Sequence, residues 1–502
     1  MKKLLTLAMV LSALLIGMPA VAVADTRNVS PGDDIQAVIT AANPGDTIMF
    51  GLGTYSLSAT LNVNKSLTLT SENPYATPKP ILDGGGTLGR IIYIAADNVI
   101  IDGLEIANGT EDLIRQSDAY VGTTVRNCVV HDSSGDEGIQ LKACTDCLVE
   151  CNLVYDVAQD GISIADDSHN SAIRNNEIYN AGSENAAIYV YDSYNMTVAC
   201  NYIHDTPAAN GIKMYKNYGG THTIANNLIV HNAWQGGKRC YDEADGSTIN
   251  IYKPRAASTY VVAHNTLADN TGADGCGSST GHAIYVNDAY EKGFVTNIDD
   301  NIVTNHNGYG IRTFYGATVN YSYNDLWQNA LGVTDGNPVD GGGNISEAPL
   351  FNSDYTLGAE SPCLGAASDG KDMGRLFDEC GCAPPVVQVT IDIKPGSDPN
   401  SINPKSKGKI PVAILSTADF DVPNEVDRDS LTFGPIGDED SLAFCSPSPE
   451  DVNYDGYDDL VCHFYTQSAG FACGDEWGYL KGETVDDVPI EGSDSVRIVP
   501  CK

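Results

Sequence analysis

An asparagine recurs at a near-constant interval from position 127 to position 324 of this 502-residue chain, and a fixed interval of that size allows few folds. The runs Arg126-Asn127-Cys128-Val129, Cys151-Asn152-Leu153-Val154, Asn175-Asn176-Glu177-Ile178, Cys200-Asn201-Tyr202-Ile203 and Asn226-Asn227-Leu228-Ile229 set it at steps of 25, 24, 25 and 26 residues. Asn265, Asn301 and Asn324 continue at steps of 38, 36 and 23, as though two repeats carry inserted loops, and Asp102 holds the same phase earlier. A second series keeps step with the first. It runs Gly138-Ile139-Gln140-Leu141, Gly161-Ile162-Ser163-Ile164, Ala187-Ile188-Tyr189-Val190, Gly211-Ile212-Lys213-Met214, Ile249-Asn250-Ile251, Ala283-Ile284-Tyr285-Val286 and Gly310-Ile311-Arg312-Thr313.

In the second series apolar residues alternate with polar or aromatic ones, the period of a strand with one buried face. Each repeat therefore reads as short strands joined by turns. A leucine-rich repeat needs fixed leucine spacing and a helical outer segment, whereas Ile, Val, Tyr, Gly, Asn and Asp fill these repeats. Three strands and three turns per coil, with coils stacked ~4.8 Å apart, account for the period. Asparagines at one bend of such a stack can hydrogen-bond from coil to coil. These N-x-[IVL] and G-I-x-[LIV] pairs resemble those of the pectate-lyase-like superfamily of right-handed parallel β-helix proteins, over about residues 29–378. That group includes alginate lyases, epimerases and surface proteins.

The predicted fold is all-β, a right-handed parallel β-helix over residues 25–379 followed by a small β-sandwich. Ile35, Val38, Ile39 and Ala42 fall at helical spacing, so a short helix capped by Asp33 or Asp34 is expected to plug the open end of the first coil. Asn43-Pro44-Gly45-Asp46 then turns into a strand over residues 47–50. The solenoid is expected to close near residues 346–351 and 361–363, with a Pro/Gly linker at 380–388. Strand signals at 389–393, 410–415, 460–464 and 495–499 suggest the sandwich, residues 389–502. Its run Ile391-Asp392-Ile393-Lys394-Pro395-Gly396 resembles the start of a module at the C-termini of exported bacterial and archaeal proteins.

Lys2 and Lys3, the apolar stretch 4–17, Pro19 and Ala22-Val23-Ala24 read as a signal peptide, residues 1–24, cut before Asp25. The stretch is too short to span a bilayer, so the protein is expected to be secreted or held at the cell surface, and to be a monomer. Fourteen cysteines in an exported chain point to disulfides. A local bridge is expected around Cys144 and Cys147, and a Cys240–Cys276 bridge would staple the two inserted loops. A net charge of -38 disfavours nucleic acid and anionic membrane and favours cations, calcium above all.

One calcium motif lies in the second domain. Asp451, Asn453, Asp455 and Asp459, with Gly456 at the tight turn, match the alternate-position oxygen ligands of a calcium loop that lacks the terminal Glu of an EF-hand. On the solenoid, alternation sends Gln140, Ser163, Tyr189, Lys213, Asn250, Tyr285 and Arg312 outward in one column, followed by Lys142, Ala165, Tyr191, Tyr215, Tyr252, Asn287 and Phe314. Tyr189, Tyr191, Tyr215, Tyr252 and Tyr285 are candidates for stacking on sugar rings, with Lys216 pairing to a uronate carboxylate. Just before these strands, Asp136, Glu137, Asp160 and Glu184 stack at coil spacing, and such carboxylates need a cation or raised pKa values.

A calcium ion there would resemble the arrangement of metal-assisted uronate lyases, with the ion neutralising the substrate carboxylate and a base removing the adjacent proton. Lys213 is the expected base, which requires its uncharged form, and Arg312 or Lys216 the second cation. Hydrolysis by Asp160 with Asp166 or Asp167 is the alternative chemistry, but the NTD, GHG and RIK combination of polygalacturonases and the YGFDPH block of mannuronan epimerases are absent. Histidines 131, 204, 231, 264 and 306 read as turn or surface residues. The leading expectation is calcium-assisted cleavage of an acidic extracellular polysaccharide. The alternative is a non-catalytic cell-surface or adhesive protein.

Overall fold

The computed structural model describes residues 24–182, 185–207, 210–234, 246–255, 257–272, 281–287, 293–314, 317–382, 387–417, 420–485 and 488–500. The signal segment through residue 23, Glu184, Cys240 and Cys276 lie outside the described residues.

From Thr26 to Gly342 the described chain winds through three parallel sheets of 13, 11 and 11 strands. A typical coil contributes Thr124–Arg126, Val129–Ser133 and Ile139–Lys142, one strand to each sheet. Ile139, Ile162, Ile188, Ile212, Ile249, Ile284 and Ile311 are successive register partners, so the repeat phases are coils of one solenoid. All seven are fully buried, each contributing roughly 1.5–3 kcal/mol over the exposed state. The glycine of the G-I pair has a packing cause. A β-carbon on Gly161 would lie 2.9 Å from the Ala187 carbonyl oxygen of the next coil.

The asparagines form the expected ladder, with one correction to its start. Asn152, Asn176, Asn201, Asn227, Asn265, Asn301 and Asn324 are buried. Asn176 Nδ2 donates to Asn201 Oδ1 at 3.0 Å, and Asn201 Nδ2 to Asn227 Oδ1 at 3.0 Å. Each Nδ2 also donates to a carbonyl one coil back, as Asn201 does to Ile173 at 3.0 Å. The residue before each rung takes the left-handed backbone conformation that turns one sheet into the next, and on the earlier coil that residue is Asn127 itself, at φ 52°. Cys128 therefore stands at the rung, its backbone N–H donating to Asn152 Oδ1 at 3.0 Å.

The predicted plug is the helix Ile35–Ala41, with Asp34 accepting from the Ala37 N–H at 3.0 Å and Ile35 and Ile39 buried. After the last coil the chain runs back along the turns beside the ladder. Ser368 bonds Asp300, Leu376 N donates to Asn226 Oδ1, Cys380 is disulfide-bonded to Cys200, and Cys382 to Cys151. The start of the expected linker is thus fastened to the solenoid. Cys144 and Cys147 form the local bridge.

The second domain packs two four-stranded sheets around Ile393, Val412, Phe433, Leu460, Phe464 and Leu480. The predicted strands correspond to Thr390–Ile393, Lys409–Leu415, Leu460–Tyr465 and Arg497–Ile498. Val387–Gln388, Val426–Gly434, Leu442–Cys445, Trp477–Thr484 and Pro489–Ser495 complete the two sheets, and Arg497–Ile498 pairs with Ser401–Ile402 beside them. No helix among the described residues is long and apolar enough to cross a membrane.

Candidate functional site

The residue two places before each register isoleucine forms a vertical column at one edge of the Ile139–Lys142 sheet. Read upward from the Ile114 coil it is Asp112, Glu137, Asp160, Ala186, Asn210, Ser247 and His282, all buried, and then Tyr309, which is half-buried. Three carboxylates therefore occupy three consecutive coils. Among the described residues, only Asp112, Asp136 and Glu137 bring three His, Cys, Asp or Glu ligand atoms within 4.8 Å of one another.

Sequence reasoning found Asp136 and Glu137 but missed Asp112. Leu113-Ile114-Arg115-Gln116 lacks the glycine before its isoleucine, so this coil did not join the second series. The register of Ile114 with Ile139 was the signal that would have found it.

The cluster is short of partners. Asp112 Oδ2 meets Arg115 Nη1 at 2.5 Å and Arg90 Nε at 3.4 Å, while its buried Oδ1 has no hydrogen-bond partner. Glu137 Oε1 accepts from Gln140 Nε2 at 2.6 Å, and its Oε2 is also buried without a partner. Burial first, then the adjoining Asp136 and Asp112, hold the Glu137 carboxyl well above the usual carboxylate range. All-oxygen donors with two open, buried acceptor atoms fit a hard cation such as calcium.

Asp160 has a different environment. It is fully buried, its Oδ1 accepts from Ala186 N at 2.9 Å and its Oδ2 faces Asn185 Nδ2 at 3.4 Å. Burial pushes its carboxyl up to about 7, against those two hydrogen bonds and the ammonium of Lys213. Asp160 thus links the acidic end of the column to the strip of tyrosines and lysines.

The expected strip is narrower than its sequence column. Gln140, Ser163, Asn250, Tyr285, Tyr252 and Asn287 are buried, which corrects the expectation of a fully exposed face. Tyr285 stacks on His282 and accepts from Asn287 Nδ2 at 2.9 Å, both on its own coil, Tyr252 stacks on Tyr215 of the coil before, and the two tyrosines pack in one cluster with Tyr215 and Phe314. A half-buried window remains at Tyr189, Tyr191, Lys213 and Tyr215. Lys216 Nζ lies 4.9 Å from the Tyr215 ring centre, Lys213 5.9 Å and Lys253 5.9 Å. Lys253, which follows its strand at the same turn as Lys216 on the coil below, joins the window although it was not among the expected residues.

Arg312 does not join this window. It is three register steps from Lys213, through Asn250 and Tyr285, or about 14 Å along the axis. Its guanidinium is committed to Asp335 at 3.1 Å and lies 2.9 Å from His282 Nε2. Asp136 and Glu137 are likewise three register steps from Lys213 on the other side. Calcium and base therefore do not share one position as the sequence reading expected.

His306 is also corrected. It is buried, as a rung of a second ladder, facing Asn270 Nδ2 at 3.4 Å and donating its N–H to Asn329 Oδ1 at 3.2 Å. In the second domain Asp451, Asn453 and Asp455 form an exposed loop whose side chains accept backbone N–H groups, including Asp455 N and Gly456 N to Asp451. Asp459 is buried and accepts from Ser416 N at 2.8 Å and Val452 N at 2.9 Å, so its carboxylate fastens the loop base.

Residues 89–252 match the family model described as Right handed beta helix region. The solenoid is a right-handed β-helix. No curated protein matches the chain. Among solved structures, pectate lyase Pel9A is similar at 14% identity, covering 71% of this chain and 97% of that one with a TM-score of 0.48. An alginate lyase from Paenibacillus sp. str. FPU-7 is similar at 15% identity, covering 63% and 99%, with a TM-score of 0.42. A GH87 alpha-1,3-glucanase from Streptomyces thermodiastaticus strain HF3-3 is similar at 17% identity, covering 66% and 71%, with a TM-score of 0.37.

Proposed function

We propose that the chain is an exported protein whose β-helix binds an acidic polysaccharide along its axis and cleaves it by calcium-assisted β-elimination. The observation that carries this reading is one sheet edge with a buried, under-satisfied acid cluster at Asp112, Asp136 and Glu137, and three lysines around Tyr215 a few coils away. Four disulfides joining described residues support export.

Asp112, Asp136 and Glu137 would hold the calcium. Bound there, it would supply positive charge to the carboxylate of a uronate about three coils from Lys213, anchoring the polymer. A chain of uronates laid across coils spaced ~4.8 Å apart would bring other carboxylates to Lys216 and Lys253. Tyr189, Tyr191 and Tyr215 stack against the sugar rings. Lys213 would remove the proton from the carbon next to a carboxylate paired with Lys216 or Lys253, the cations that share its window. The C–H electrons form the new carbon–carbon double bond, the glycosidic oxygen departs with the old bond's electron pair, and a proton from solvent completes it. Asp160, on the coil two register steps from Lys213 and with its carboxyl pushed up to about 7 by burial, is a positioning residue that, while protonated, adds no negative charge to hold the base as an ammonium.

The test is ultraviolet detection of unsaturated product from polygalacturonate and alginate, with calcium and with chelator. Product is expected with calcium and a drop of about 100-fold or more in Lys213→Ala. Unchanged turnover in that variant removes the base. No unsaturated product from either polymer returns the non-catalytic surface protein.

A further inference from the structure

The second domain carries an exposed aromatic face outside the solenoid site. On the outer side of the sheet containing Lys409–Leu415, Leu460–Tyr465 and Leu442–Cys445, Pro411, His463 and Phe444 are cross-strand partners in one row. Lys409 and Tyr465 form the next row. Phe444 and Tyr465 are 48% and 49% exposed, where large apolar rings would ordinarily be covered. The Phe444 and His463 rings stack at 4.6 Å, and Lys409 Nζ lies 5.2 Å from the Phe444 ring centre and 5.4 Å from that of Tyr465.

Two further features adjoin this face. The turn before Lys409 carries Lys405 and Lys407, both exposed, and is tied to the end of the Tyr465 strand by Thr466 Oγ1 donating to the Gly408 carbonyl at 3.0 Å. Three lysines within five residues are a positive spot on a chain of net charge -38. On the other side, Pro411 and His463 also line a cleft of about 480 Å³ shared with the carboxylates Glu450 and Asp451 and with Tyr454, which is 91% exposed.

We propose that this face is a second carbohydrate-binding site, independent of the solenoid, for an acidic polysaccharide. Ring faces supply stacking surfaces for the C–H side of a sugar. Lys409 between two rings, backed by Lys405 and Lys407, supplies the countercharge for a uronate carboxylate. Glu450 in the cleft can accept from sugar hydroxyls. Charge complementarity selects the ligand, since three lysines at this turn attract a polyanion on a chain whose net charge is -38. The domain would then hold the polymer near the solenoid, raising its effective concentration there.

The test is electrophoresis of the full chain through native gels containing polygalacturonate, alginate or neutral dextran. Two variants are compared with the wild type: Phe444→Ala with Tyr465→Ala, and Lys405→Glu, Lys407→Glu, Lys409→Glu on the exposed turn. Retardation by an acidic polymer is expected to weaken about tenfold in each, which is one factor of ten in affinity, while turnover of short oligosaccharides stays at the wild-type level. Unchanged retardation in both variants, or equal retardation by dextran, overturns the proposal. Because oligosaccharide turnover is read separately, failure of this site is distinguishable from failure of the lyase reading.

Discussion

Two columns of polar side chains run up the same solenoid at the same spacing and satisfy themselves in opposite ways. In the asparagine ladder every amide both donates and accepts, so Asn176, Asn201 and Asn227 pair with one another and with the backbone in the buried interior. In the acid column Asp112 and Glu137 can only accept when ionised, and each keeps one buried oxygen without a partner. The first column completes itself from coil to coil. The second is complete only with a proton or a cation. Repetition of a polar residue is therefore not in itself a mark of function, and the inventory of donors and acceptors separates scaffold from site.

Exchanging the chemistry of the two columns should break the contrast most sharply. Asn201→Asp removes the donor to Ile173 and Asn227 and buries a charge. A loss of about 3 kcal/mol or more is expected in the urea unfolding of the solenoid. An unchanged unfolding midpoint would mean the ladder contributes little. The reverse exchange, Glu137→Gln, gives the acid column a donor. Without calcium it is expected to raise stability by about 1 kcal/mol and to abolish the rise in unfolding temperature expected of the wild type when calcium is added.

Acidity sharpens the same contrast. Glu137 is held above its ordinary value of 4.5 in the fold, so its stabilising influence is fully present below that value and is lost as pH rises toward its folded value. Calcium-free wild type should therefore lose stability relative to Glu137→Gln as pH is raised from about 5, and calcium should cancel the difference. A pH-independent gap between the two proteins would contradict the assignment. The smallest effect is expected at His306, the one imidazole rung between Asn270 and Asn329. Burial lowers it from 6.5 to about 4, so its stability contribution is present above 6.5 and lost as pH falls toward 4. His306→Asn should flatten that acid limb, and an unchanged acid limb would show that His306 does not set it.

The periodic part of the fold was legible because register isoleucines and ladder asparagines answer to one packing rule each. Positions that depend on a turn were not. Asn127 looks like a rung, yet the left-handed turn residue falls there and Cys128 takes the rung. Tyr252 and Tyr285 alternate outward, but they pack in one cluster with Tyr215 and Phe314, and packing between coils is something that alternation does not record. Asp112 escaped because its coil lacks the glycine signature. In the sandwich, Val426–Gly434 carries three charged residues in its first half, which masked its strand period.

The most direct measurement of the cation site is calorimetric titration with calcium at neutral pH in two buffers of different ionisation heat. An Asp451→Ala background removes the contribution of the second-domain loop. A carboxyl that is protonated in the calcium-free fold must release its proton when it becomes a ligand. The account predicts release of about one proton per calcium bound, lost in Glu137→Gln. Calcium uptake without proton release, or equal release from the Glu137→Gln protein, would contradict it.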